Sequence, residues 1–132
     1  MTKYYLDTSI LLDYYEKRGN NGNIALKLIE KIILNNDTTI YSDIHIRELK
    51  KFYNKEEILC LIREIKTNRI FVHVNRWQRI EARKISQTKD VPFLDILHAI
   101  IARDNESILV SNDKDFIFLK NITLIKTPRE LL

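Results

Sequence analysis

The stretch SILVSNDKDF, residues 107–116, passes from Ile108, Leu109 and Val110 straight into Ser111, Asn112, Asp113, Lys114 and Asp115. A short apolar run of this kind reads as a buried strand. The carboxylates that follow it have two readings. One is turn chemistry, with an Asx turn at Asp113 and Asp115 capping a short FIFL helix. The other is a site to which further strands also deliver carboxylates, and the rest of the chain decides between them.

Working outward, KYYLD (3–7), TTIYS (38–42), RIFVHV (69–74) and ITLIK (122–126) are further apolar or β-branched runs that predict strands. Between them lie helical patterns. TSILLDYYEKR takes Thr8 or Ser9 as its cap, and Asn20, Asn21 and Gly22 break it. NIALKLIEKIILNN is amphipathic, and DIHIRELKKFY and KEEILCLIREIK form two helices with a break near Asn54. NRWQRIEARKIS is capped by Asn75, and VPFLDILHAIIARD begins near Pro92. The closing TPREL carries a Thr cap, a Pro at the first helical position and a Glu three residues after the cap. Strand and helix alternate, so right-handed crossovers build a mainly parallel five-stranded sheet flanked by helices, a three-layer α/β fold.

Open parallel sheets bind ligands at the carboxyl ends of their strands, near a switch in strand order. Asp7 ends the first strand, Asp113 and Asp115 follow the fourth, and Glu48 and Asp95 lie on intervening helices, so all can converge on one edge. Each has a plainer reading. Asp7 caps a helix, and Glu48 pairs with Lys50 or Lys51 on an exposed face. Asp95 resists such a reading, because Phe93, Leu94, Ile96, Leu97, Ala99, Ile100 and Ile101 surround it with apolar side chains, where an uncompensated charge is costly. Several carboxylates with no cysteine cluster and little histidine favour a hard, oxygen-seeking cation such as Mg²⁺. Such an ion relieves their mutual repulsion and supports hydrolysis of a phosphodiester.

The 132 residues fit one domain, 1–132, with 45% hydrophobic and 30% charged content and only two Gly and two Pro. Cys60 is the one cysteine, so an intrachain disulfide and a cysteine-based zinc site are excluded; within EEILCLIREI it reads as a small core residue. Neither a leader nor an apolar run of membrane-spanning length is present, which favours a soluble, cytoplasmic setting. Net charge is +4, but residues 63–89 hold eight Lys and Arg against Glu64 and Glu81. That segment reads as a solvated face or as a phosphate-binding one. Arg76, Arg79 and Arg83 share one side of a helix. Trp77 among them either anchors the helix to the sheet or stacks on a base.

The series YYLDTSILL, YSDIHIREL, FLDILHAIIA and LVSNDKDF, taken in order, resembles a PIN domain, close to the VapC-type toxin branch, over essentially the whole chain. The resemblance implies a metal-dependent endoribonuclease that hydrolyses RNA, with Mg²⁺ or Mn²⁺ as cofactor. It also implies a small antitoxin partner and a homodimer. By motif, Asp7, Glu48, Asp95 and Asp113 take the catalytic positions. Asp7, Asp95, Asp113 and the more variable Asp115 take the metal. Ser111 stands where the family often has Thr, and Thr8, Ser9 and His98 are auxiliary. His98 either touches substrate or a site water, or packs beside the site; His45 and His73 read as structural.

Other carboxylate-bearing α/β families fit less well. A haloacid-dehalogenase phosphatase wants Asp-x-Asp after the first strand, where Asp7-Thr8-Ser9 stands. A receiver domain wants an Asp ending the third strand, where Val74-Asn75 stands. A Toprim domain matches Asp113-Lys114-Asp115 and leaves Asp7 and Asp95 unexplained. Two alternatives remain on the same fold: an RNA-processing nuclease without an antitoxin, and a non-catalytic module binding RNA or protein.

Overall fold

The computed structural model describes residues 1–132. Strands β1 (Lys3–Leu6), β2 (Thr38–Ser42), β3 (Asn68–Val72), β4 (Ile108–Val110) and β5 (Ile125–Lys126) form one sheet in the order β3-β2-β1-β4-β5. Every pairing is parallel. The chain builds outward from β1 through β2 to β3, then returns to lay β4 on the other side of β1. The switch in strand order therefore falls between β1 and β4.

Helices α1 (Thr8–Tyr15), α2 (Gly19–Leu34), α3 (Asp43–Leu49), α4 (Lys55–Glu64), α5 (Arg76–Ser86) and α6 (Phe93–Asp104) cover both faces. Alternation along the strands sorts the core. Tyr4, Leu6, Tyr41 and Val110 pack with α1, α2 and α4, including Ile10, Leu28, Ile32 and Leu61. Tyr5, Ile40 and Leu109 face the other way, onto α6, Ala82 of α5 and Phe116. Residues 96–102 of α6 are all buried, so this helix is a core element for its whole middle and not an amphipathic cover. No helix is long and apolar enough to cross a membrane.

Several boundaries depart from the sequence reading. Asn20, Asn21 and Gly22 do not break a helix; they lie inside α2, and the break falls at Glu16–Arg18, where Lys17 turns left-handed at φ 54°. The DIHIRELKKFY helix stops at Leu49, and β3 occupies 68–72 instead of 69–74. The predicted strand 122–126 shortens to Ile125–Lys126, because only Leu109 and Val110 of β4 offer it register partners. TPREL forms a 3₁₀ turn, Arg129–Leu131, with the expected reciprocal bonds between Thr127 and Glu130. Cys60 is exposed, on the outer side of α4, whose buried residues are Ile58 and Leu61. Trp77 is 74% exposed, because α5 turns Gln78 and Ala82 inward instead, so it does not anchor the helix.

The α1–α2 corner is closed by Gly22, where an added Cβ would sit 2.8 Å from the Asp13 carbonyl oxygen and 2.9 Å from the Lys17 carbonyl carbon. Both neighbours are backbone and cannot swing aside. Gly22→Ala should therefore cost about 1–3 kcal/mol, read as a lower urea midpoint with an unchanged slope.

Candidate active site

Asp7 follows the last residue of β1. Its amide donates to the Val110 carbonyl at 2.9 Å, which ties it to the end of β4 across the switch point. Its side chain lies in the N-cap position of α1 but accepts no cap bond. Instead Oδ2 accepts the hydroxyls of Ser9 at 2.8 Å and Ser111 at 2.9 Å. Neither Thr8 nor Ser9 caps the helix, contrary to the sequence expectation: Thr8 Oγ1 donates to Glu48 Oε1 at 2.8 Å. Both hydroxyls are more strongly claimed by carboxylates at the same edge, since bonds to a charged acceptor are the stronger kind.

Glu48 points inward from α3, away from Lys50 and Lys51. Its Oε1 also meets His98 Nε2 at 2.5 Å. Burial pushes its carboxyl up, but the His98 and Thr8 hydrogen bonds outweigh that and hold it below its usual range. His98 is fully buried and its other nitrogen, Nδ1, lies 2.6 Å from the Tyr5 hydroxyl. The Tyr5 hydroxyl is 2.7 Å from Ser42 Oγ. His45 is buried as well: Nδ1 accepts the Ser42 amide at 3.0 Å and Nε2 meets the Leu6 carbonyl at 2.6 Å. Burial, reinforced by His98, lowers His45 to about 3, so it is neutral.

Asp113 and Asp115 lie where β4 gives way to the 3₁₀ turn Lys114–Leu119. The Asx turn expected at Asp113 is present, with the Asp115 amide donating to Asp113 Oδ1 at 2.9 Å. Asp113, and not Asp115, is the cap of this turn. The Asp113 amide in turn donates to Ser111 Oγ at 3.0 Å, so one hydroxyl links the Asp7 carboxylate to the Asp113 loop.

Ligand atoms of Asp7, Glu48 and His98 come within 4.8 Å of one another, and so do those of Asp95, Asp113 and Asp115. Both His98 nitrogens are already bonded, which leaves oxygen donors. Asp95, half-buried in the first turn of α6, links the two groups. Burial first, then the charges of Asp7 and Asp113, drive its carboxyl up to about 7. Carboxylates in this arrangement fit a hard divalent cation, which would neutralise the repulsion that Asp95 registers. Arg76, Arg79 and Arg83 are exposed on α5, and none forms an ion pair or a bond to these carboxylates. His73 lies outside the site, exposed, with Nδ1 2.8 Å from Asp43.

The sequence reading missed Tyr5 and Ser42. The available signal was Tyr5 alternating with Tyr4 on β1, together with a Ser at the same end of β2. What it lacked was the knowledge that both face α6.

A family model described as PIN domain matches residues 4–121. In fold, the chain is similar to VapBC2 from Rickettsia felis bound to a DNA fragment from its promoter. There the TM-score is 0.68 and identity 21%, covering 96% of this chain and 98% of that one. FitAB bound to an IR36 DNA fragment gives a TM-score of 0.63 at 14% identity, covering 95% and 94%. FitAcB from Neisseria gonorrhoeae gives 0.62 at 14%, covering 96% and 98%. No curated protein matches the chain.

The raised Asp95 carboxyl sets a sign for pH dependence. Its folded value, about 7, lies above the ordinary unfolded value of about 3.9. Its contribution is therefore fully present below the unfolded value and is lost as pH rises through the folded one. In EDTA, wild type should lose more thermal stability than Asp95→Asn between pH 5 and pH 8. Excess Mn²⁺ should restore more to wild type than to the variant. Equal pH losses in the two proteins would remove Asp95 from the cluster.

Proposed function

Because the chain belongs to the PIN-domain family, we propose that it is a metal-dependent endoribonuclease and the toxin of a toxin–antitoxin pair. One observation carries the reading: carboxylates from the end of β1, from α3 and α6 and from the loop after β4 gather near the switch point, where burial and then the charges of Asp7 and Asp113 raise the Asp95 carboxyl to about 7. A purely structural set of acids gains nothing from such crowding.

Asp7, Asp95, Asp113 and Asp115 would hold Mg²⁺ or Mn²⁺, which supplies charge neutralisation and an activated water for attack on phosphorus. The chain's own groups do the positioning. Ser9 and Ser111 fix Asp7 through Oδ2. Glu48 accepts a hydrogen bond from the attacking water, whose proton passes to solvent; the bond to the leaving oxygen breaks as the new phosphorus–oxygen bond forms, and that oxygen takes up a proton from solvent. RNA as substrate rests on the family resemblance. The unpaired, exposed Arg76, Arg79 and Arg83 suit its phosphates. Similarity to VapBC2 and FitAB chains supports an antitoxin partner, and a homodimer rests on the family resemblance alone.

The purified protein should cleave RNA with Mn²⁺ or Mg²⁺ and stop in EDTA. Asp7→Asn, Asp95→Asn and Asp113→Asn should each lose most activity while retaining the wild-type circular dichroism spectrum. Undiminished cleavage by the Asp7→Asn/Asp95→Asn double variant would sink the assignment. Expression of the chain alone should slow growth, and these variants should not. Harmless wild type with active cleavage would transfer the protein to RNA processing.

Changing Arg76, Arg79 and Arg83 together to Gln should weaken RNA binding and flatten its dependence on salt, by about three in the logarithmic slope at most. Metal binding should be unaffected. An unchanged slope would make this a solvated face only.

A further inference from the structure

The buried groups beneath Glu48 form a chain of hydrogen bonds whose direction follows from which atoms carry hydrogens. The Ser42 amide only donates, so His45 Nδ1 is bare; its Nε2–H then donates to the Leu6 carbonyl, which only accepts. With that acceptor filled, the Ser42 hydroxyl finds its nearest acceptor in the Tyr5 hydroxyl at 2.7 Å, against 3.4 Å to His45 Nδ1. Tyr5 then gives its own hydrogen to His98 Nδ1 at 2.6 Å. His98 carries its hydrogen on Nε2 and donates to Glu48 Oε1 at 2.5 Å.

The far end of this chain is specific at the atom level. Thr8 and His98 both donate to Oε1 of Glu48, and Oε2 accepts from neither. The Glu48 side chain is 22% exposed, while the His98 side chain is wholly covered. One oxygen thus takes both donors, and the other accepts no hydrogen bond and is not a buried unpartnered atom.

We infer that Tyr5 and His98 are positioning residues for the proposed reaction: their relay clamps Oε1 of Glu48 so that Oε2 alone is presented to the attacking water. This rests on the nuclease reading for its consequence and on donor and acceptor geometry for its existence. The relay also explains why three polar side chains, Tyr5, Ser42 and His98, lie in an otherwise apolar layer beside Ile40, Leu97 and Leu109. Buried polar networks of this kind are tolerated when every member is satisfied. His45 extends the clamp by holding the Leu6 carbonyl, the group immediately before Asp7, so two histidines fix the supports of two carboxylates.

The test has two arms. In metal-free protein, nitrogen-15 NMR of the histidine rings should show His98 as the Nε2–H form with a slowly exchanging proton. Tyr5→Phe should speed that exchange by at least about tenfold, since the donor that fixes the ring is gone. In the cleavage assay, Tyr5→Phe should lower kcat by about tenfold with KM and the Mn²⁺ midpoint unchanged. His98→Leu should lower it further, and His98→Gln, which keeps an N–H donor, should recover part of the loss. A His98 ring protonated on Nδ1 alone would overturn the relay. Unchanged kcat in Tyr5→Phe, or His98→Gln no better than His98→Leu, would reduce the network to a packing role. If wild type cleaves no RNA while His98 shows the predicted tautomer, the nuclease reading fails and the relay stands without that consequence; the inference as stated is then overturned.

Discussion

Everything at the upper edge of the sheet answers to the repulsion among carboxylates gathered from distant parts of the chain. With ligand atoms within 4.8 Å of one another and an effective dielectric of about 20, two such charges oppose each other by at least about 3 kcal/mol. A domain with a net stability of about 5–15 kcal/mol cannot carry several such pairs uncompensated. The protein divides the cost among different groups. Ser9 and Ser111 attend Asp7, Thr8 and His98 attend Glu48, the Asp115 amide attends Asp113, and Asp95 is left to hold a proton near neutral pH. The last is the residue with the least help, and it is the one where a cation has most to gain.

The sheet makes this crowding tolerable by being stiff where it matters. β1 is central, paired on both sides, and its alternate residues seed both cores, Tyr4 and Leu6 on one face and Tyr5 on the other. α6, buried through residues 96–102, cannot rotate Asp95 away without displacing Ile96, Leu97 and Ile100. Packing energy in the layer beneath thus holds acids where their own charges would not place them.

The strand–helix alternation and the central position of the carboxylates were readable because both rest on local pattern. Short apolar or β-branched runs gave the strands, three of them ending in Asp or Ser, and a parallel sheet then sends their ends to one edge. The failures share a different cause: tertiary demand overrode local preference. Thr8 and Ser9 have the chemistry of helix caps, yet carboxylates from α3 and β1 take their hydroxyls. Asn20–Gly22 look like a break, yet the close approach of the Asp13 carbonyl requires Gly22 within a helix. Trp77 and Cys60 look like core residues, and the register of α5 and α4 turns both outward. Tyr5 and Ser42 were silent because their meaning lies in pairings 93 and 37 residues apart.

The pairing of Leu6 with Val110 has a consequence for the order of events during synthesis. β1 and its partner on the switch-point side stand about a hundred residues apart in the chain, so the seam between them closes only after β2 and β3 have been made. A chain synthesised only through β3 contains Asp7 and Glu48 and still lacks Asp95, Ser111 and Asp113. At elongation rates of about 5–20 residues per second, the carboxylate edge stays incomplete for several seconds after β3 has been made. Full assembly of the carboxylate edge therefore waits for the synthesis of β4 and the loop that follows it.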